Sequence, residues 1–290
     1  MNDERVDCIV RFHNMRRLRQ LDQCMFSLVG QTHSPLHVLL ALQRFTARDA
    51  AAVRAAVEPL LGLPGAPTLE VLDWDEPAPA DGRAALLNLG LAAARGRYVG
   101  FLDYDDVLYP EAYEILVGQL RATGAAIAFA TVRVVRAAVY PEFIQVAHLL
   151  NLSLHGRTLR ELLRNNFCAI HSFLIDRRQV PGHLLSCDKT LTIDEGYDLL
   201  LRICARCPSD FERVATPVGD YYYKTDESNT ASTNGGPGGV RPAAYERVAA
   251  LLEIRRRTTL MAPEVQRALG LPDPRPGLTI RAALDLLDAS

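Results

Sequence analysis

No apolar run in this chain reaches the roughly twenty residues that a bilayer span requires. The best candidate, Ala125 to Val135, is broken by Arg133. Nor is one sign of charge in excess. With 32 basic and 34 acidic side chains the formal net charge is −2, so no global field recruits nucleic acid or an anionic surface. The opening residues Met1-Asn2-Asp3-Glu4 lack the basic and apolar regions of a secretory signal. Six cysteines spread over 290 residues do not make a disulfide framework. Cys204 and Cys207 form a C-x-x-C, but it lies in a helical pattern with no second ligand pair, which argues against zinc. No internal repeat is present, and no glycine-rich phosphate loop follows the first strand pattern. These absences exclude a membrane-spanning protein, a disulfide-stapled module and a nucleic-acid binder. The expectation is a cytoplasmic, reduced, globular protein.

What the chain does contain is an alternation of short apolar strands and amphipathic helices. Val6 to Phe12 reads as a buried strand closed by His13-Asn14, and Leu18, Leu21, Met25, Leu28 and Val29 recur at helical spacing up to Gly30. Further strands are expected over Leu36–Leu42, Thr68–Leu72, 98–102, Ala126–Val135 and Cys168–Ile175. Helices are expected over 49–61, 83–95, Pro110 to Thr123 and 197–207. Residues 140–165 read as a less regular insertion, and 226–240 are rich in Ser, Thr, Asn and Gly. The last fifty residues look helical, from Tyr245 to Leu260 and again near 279–288. Such alternation predicts a mostly parallel α/β sheet flanked by helices, with ligands beyond the carboxyl ends of its strands. Asn14, Gln43 and Asp103–Asp106 all fall at those ends.

The sharpest feature is the run Phe101-Leu102-Asp103-Tyr104-Asp105-Asp106, an apolar strand ending in three carboxylates. Hard oxygen ligands at one point of a sheet suit Mg²⁺ or Mn²⁺, with room left for phosphate oxygens. An acidic solvated turn is the plainer alternative.

Taken in order, the motifs resemble those of the inverting family 2 glycosyltransferases, which have the GT-A fold and include bacterial surface-glycan enzymes. Ile9-Val10-Arg11-Phe12-His13-Asn14 is similar to the family's first strand and Asn turn. Ser27-Leu28-Val29-Gly30-Gln31 matches its Ser-Leu-x-x-Gln helix end, and Gly82-Arg83 through Asn88 its Gly-Lys/Arg-x-x-x-x-Asn segment. The run 101–106 matches the metal motif, Tyr197 to Arg202 the helix after the catalytic carboxylate, and Tyr223 to Thr230 the late loop over the diphosphate.

The resemblance implies a metal-dependent transferase acting on a nucleotide-sugar donor and a glycan, lipid-linked or protein-linked acceptor. Asp105 would bind Mn²⁺ or Mg²⁺ with Asp106 in support. Asp103 would contact the ribose, and Asn14, Gln43, Arg83 and Asn88 the nucleotide. It divides the chain into a transferase domain at 1–230 (nucleotide half 1–110, acceptor half 111–230), a linker at 231–240 and a helical extension at 241–290.

Three positions depart from the family pattern. Leu42-Gln43-Arg44 stand where a base-reading carboxylate is usual, Thr225 where a metal-binding His is common, and Gly196 where the catalytic base is expected. Glu195 is the first candidate for the base and Asp194 its rival. Asp198 is expected to pair with Arg202 at i+4. His171 is expected on a strand, as a buried structural residue rather than an acceptor contact. Arg255-Arg256-Arg257 read first as a charged face on a terminal helix, with contact to the inner face of a membrane or to nucleic acid as the alternative. A degenerate member that binds nucleotide or a partner without transfer, and a nucleotidyltransferase, are the competing functions.

Overall fold

The structure, a computed structural model, describes residues 4–140, 143–150, 154, 156–224 and 243–289. Late-loop residues 225–230 and the 231–240 linker lie outside these.

Seven strands form the main sheet: β1 (Val6–Phe12), β2 (Leu36–Gln43), β3 (Thr68–Trp74), β4 (Tyr98–Asp103), β6 (Ile127–Phe129), β9 (Phe173–Asp176) and β10 (Ser209–Asp210). Their order is β10-β6-β9-β4-β1-β2-β3. The half from β4 through β3 is parallel, as the alternating pattern predicts, whereas β9 runs antiparallel to both β4 and β6. A smaller sheet packs β5 (Val107–Leu108), β11 (Pro217–Lys224), β7 (Thr131–Val139) and β8 (Ile144–Leu149) in the order β5-β11-β7-β8. The apolar stretch read as one strand, 126–135, is therefore split. Ala130 separates β6 from β7, and the two lie in different sheets.

Helices α1 (Leu18–Val29), α2 (Ala47–Leu61), α3 (Arg83–Ala93), α4 (Ala112–Thr123) and α6 (Glu195–Cys204) cover the main sheet. The short α5 (Leu159–Arg164) and β8 give structure to the segment read as irregular. The side-chain period of two divides β1 between two cores. Val6, Cys8, Val10 and Phe12 pack with Leu21, Met25, Val53 and Leu116 on one face. Ile9 packs with Leu87, Phe101 and Phe173 on the other. Helix α3 comes so close to β1 that a Cβ on Gly90 would sit 2.5 Å from Ile9 Cγ2. Only glycine permits that approach.

Three last helices, α7 (Ala243–Thr258), α8 (Pro263–Ala268) and α9 (Ile280–Asp288), complete the described chain. Leu252, Val265, Ile280 and Leu284 belong to the same buried cluster as Phe101 and Leu200. No described helix is long and apolar enough to cross a membrane.

Candidate active site

A cavity of about 350 Å³ opens beyond the carboxyl ends of β1 and β4, within the size range of small-molecule sites. Arg11 and Asp103 are register partners across these strands, on the face that carries Ile9 and Phe101. The Arg11 guanidinium donates to Asp103 Oδ1 from Nε at 3.0 Å and from Nη2 at 2.5 Å, and from Nη1 to Glu195 Oε1. Arg11 is 7% exposed and Glu195 5%, so one buried cation joins the carboxylates of two distant segments. Burial opposes the Arg11 charge, but Asp103 and Glu195 outweigh it and hold the group protonated. Burial likewise pushes the Asp103 carboxyl up, and Arg11 more than offsets this, leaving it below its ordinary 3.8.

The other two carboxylates of the acidic run are also engaged. Asp105 Oδ2 lies 2.7 Å from Lys224 Nζ at the end of β11. Asp106 is 2% exposed, and its Oδ1 accepts from the Tyr222 backbone N–H at 2.8 Å. Burial, reinforced by the Asp105 charge, pushes the Asp106 carboxyl well above the usual carboxylate range.

A resident Mn²⁺ or Mg²⁺ needs anionic oxygens turned to a common point. Here Asp103 faces Arg11, Asp105 faces Lys224, and Asp106 is buried against a backbone donor. Among the described residues no group of three His, Cys, Asp or Glu side chains is set to hold a metal. A divalent ion on Asp105 about 4 Å from the ammonium would meet a repulsion of roughly 8 kcal/mol at an effective dielectric of 20. As folded, the carboxylates of the acidic run are engaged by Arg11, Lys224 and a backbone donor rather than turned to a common point.

The base candidates differ in setting. Glu195 begins α6 and is bound to Arg11. Asp194 precedes the helix in the left-handed region, at φ 58°, a strained setting for a non-glycine residue. Its Oδ1 accepts from Asn166 Nδ2 at 2.8 Å, and burial pushes its carboxyl up. Both residues line the cavity. A Cβ on Gly196 would meet nothing closer than Ile170 at 3.6 Å, so the glycine leaves open the space where a family carboxylate would project.

The cavity brings together Arg83, Asp103, Asp105, Asp106, Asp194 and Glu195, but its lining does not include Asn14, Gln43 or Asn88. Asn14 caps the turn at Met15–Arg17 by accepting from the Arg16 N–H. Gln43 donates to the Ala80 carbonyl at 3.2 Å. Asn88 brackets the backbone of Cys187, donating to its carbonyl at 2.9 Å and accepting from its N–H at 2.7 Å. Arg83 lies 3.1 Å from Asp81. His171 sits in the turn before β9 rather than on a strand. It is 2% exposed, with Nδ1 3.6 Å from Asp106 Oδ2.

Of the three arginines offered to a membrane, Arg255 and Arg256 are engaged within the protein, whereas Arg257 is 68% exposed beside Glu253. Arg255 pairs with Asp198 at 2.5 Å, and Arg256 donates to the Leu163 carbonyl at 2.9 Å and to the Tyr197 hydroxyl at 3.0 Å. Asp198 also takes the expected Arg202 pair, at 2.9 Å. Sequence reasoning missed Arg11, Lys224 and Asn166. A signal existed for Arg11, a charged residue inside an otherwise apolar strand run. For Lys224 the signal was its place in the Tyr223–Thr230 segment, and none existed for Asn166, whose role depends on contacts across the fold.

The family model for glycosyl transferase family 2 matches residues 7–181, and the chain belongs to that family. The protein is thus a glycosyltransferase, and its fold is of the GT-A type. The crystal structure of S. aureus TarS 1-349 is similar over 91% of this chain and 69% of its own, with TM-score 0.57 and 11% identity. The same enzyme in complex with UDP-GlcNAc gives TM-score 0.57 and 12% identity, over 91% of this chain and 70% of its own. The Pyrobaculum calidifontis mannosyltransferase PcManGT, in complex with GDP-Man and Mn²⁺, is similar over 98% of this chain and 78% of its own. Its TM-score is 0.52 and its identity 15%. No curated protein matches the sequence.

Proposed function

We propose that this protein transfers a sugar, with inversion, from a nucleotide-diphosphate donor to a hydroxyl on a glycan or a lipid- or protein-linked saccharide. The observation that carries this is the cavity at the ends of β1 and β4, which joins Asp103, Arg83 and Lys224 to a carboxylate, Asp194, at the start of α6. The neighbours bound to UDP-GlcNAc and GDP-Man support a donor of this class. In this reading Asp103, fixed by Arg11, receives the ribose hydroxyls, and Arg83 faces the diphosphate.

Asp194 is the general base, because its carboxyl is raised by burial and is not committed to an arginine. Glu195, tied to Arg11, is a positioning residue. The acceptor oxygen attacks the anomeric carbon, its proton passes to Asp194, and the bond to the diphosphate oxygen breaks with its electron pair on that oxygen. One displacement of this kind inverts the anomeric centre.

The Mn²⁺ in the mannosyltransferase complex supports an alternative in which Asp105 takes a divalent ion after Lys224 withdraws. The open position at Gly196 supports another, a member that binds donor without transfer.

The test is release of nucleoside diphosphate from UDP-GlcNAc and GDP-Man in the presence of saccharide acceptors. Asp194→Asn is expected to cut turnover by roughly two to four orders of magnitude, the usual weight of a general base, with donor affinity unchanged. Loss in Glu195→Gln alone would return the role to Glu195. Full activity in both variants and in their combination would overturn a base from this segment, and donor binding without turnover would establish the binding-only member.

A further inference from the structure

Lys224 ends β11, and its ammonium lines the cavity 2.7 Å from Asp105, with a longer contact of 3.4 Å to the Tyr222 carbonyl. The residue is 5% exposed. It is one of two lysines in a chain whose 32 basic residues are otherwise arginines. A compact ammonium differs from the planar guanidinium used elsewhere in the chain, since it presents a point charge with three donors. Burying an ammonium is costly, and its partner Asp105 keeps 21% of its side chain exposed, so the pair is weak evidence for stability. Retaining Lys224 against Asp105 therefore calls for a role beyond folding. The pair also stands on the carboxylate that the acidic motif would offer to a metal.

Resting on the transferase reading above, we propose that Lys224 is the resident cation of this site, with its ammonium holding the donor diphosphate and making transfer independent of a divalent metal. When the sugar–oxygen bond breaks, the leaving diphosphate gains one negative charge on the oxygen that keeps the electron pair. Lys224 stays protonated throughout and donates to the diphosphate, while the acceptor proton goes to the base. Asp105 anchors the ammonium, so the counter-charge is in place before the donor arrives. A preorganised charge of this kind stabilises the transition state without reorganisation at the moment of reaction.

The experiment is calorimetric titration of the full chain with UDP and GDP, each in EDTA and in Mn²⁺, with uridine and guanosine as phosphate-free controls. Wild-type affinity for the preferred diphosphate is expected to be the same in EDTA and in Mn²⁺. Lys224→Met is expected to weaken diphosphate binding about 10- to 100-fold, the weight of a charge-assisted hydrogen bond, without moving nucleoside affinity. Lys224→Arg should recover part of the loss. Thermal unfolding checks that the variants fold, and if Lys224→Met does not, the wild-type comparison decides alone. Wild-type binding that EDTA abolishes and Mn²⁺ restores would overturn this proposal while leaving the transferase reading intact. So would a Lys224→Met variant that binds as tightly as wild type in EDTA. Binding of neither diphosphate under either condition would overturn the transferase reading and this proposal with it.

Discussion

His171 shows how one buried side chain ties this fold to pH. Its ring is enclosed, with Asp106 as its nearest carboxylate at 3.6 Å. Burial lowers its pKa from 6.5 to about 4, against the raising influence of the nearby aspartates. The unfolded chain takes up a proton near pH 6.5, whereas the folded chain refuses it until about pH 4. The contribution is thus fully present above pH 6.5 and is lost as pH falls through that window. Asp106 works the other way, because its raised pKa lets the folded state bind a proton earlier than the unfolded one. The difference between wild type and His171→Asn isolates the histidine, since Asp106 is present in both. Urea unfolding at pH 7.5 and pH 4.5 should show wild type losing stability relative to the variant by an amount on the order of 2–3 kcal/mol. Parallel pH profiles for the two proteins would show that the ring titrates normally.

At the scale of elements, the position of α3 decides where Arg83 and the cavity wall stand. Gly90 lets the helix rest on Ile9, and Gly90→Ala places a methyl 2.5 Å from that side chain. The added carbon is expected to cost about 1–3 kcal/mol, although alanine is the better helix former, so the thermal midpoint should fall rather than rise. A higher midpoint would mean that α3 and β1 have slack.

The parallel strands were legible because each is a short apolar run bounded by turn residues, and the helices because their apolar residues recur at 3.6. Residues 126–135 were not, because β6 and β7 are equally apolar and only the assignment of strands to two sheets distinguishes them. The acidic run was legible as a site, but its partners were not. Arg11 Nη1 reaches Glu195 across 184 positions and Lys224 reaches Asp105 across more than a hundred. Local spacing carries no trace of such pairs. The partner of Asn88, the Cys187 backbone, was likewise out of reach of local spacing.

At the scale of the whole molecule, the last helices share a buried cluster with the main sheet. Leu252, Val265, Ile280 and Leu284 are buried with Leu200 and Phe101, and Arg255 and Arg256 fasten α7 to Asp198 and Tyr197 of α6. Each fully buried aliphatic side chain is worth about 1.5–3 kcal/mol, so removing the four exposes a sum comparable to the stability of a typical domain. A chain ending at residue 240 is expected to lose cooperative unfolding and to bind a hydrophobic dye. A soluble truncated protein with a sharp transition and intact donor binding would show instead that the extension is dispensable.

The bridge at Arg11 bears on how such a molecule can change over generations. Its guanidinium serves Asp103 and Glu195 at once. A lineage that lost the arginine first would leave the buried Glu195 and the half-buried Asp103 without their shared cation, and one that lost a carboxylate first would leave a buried cation half-matched. Either single step is costly, so the three positions form one unit of inheritance. Descendants should carry Arg, Asp and Glu together or have exchanged the set as a whole.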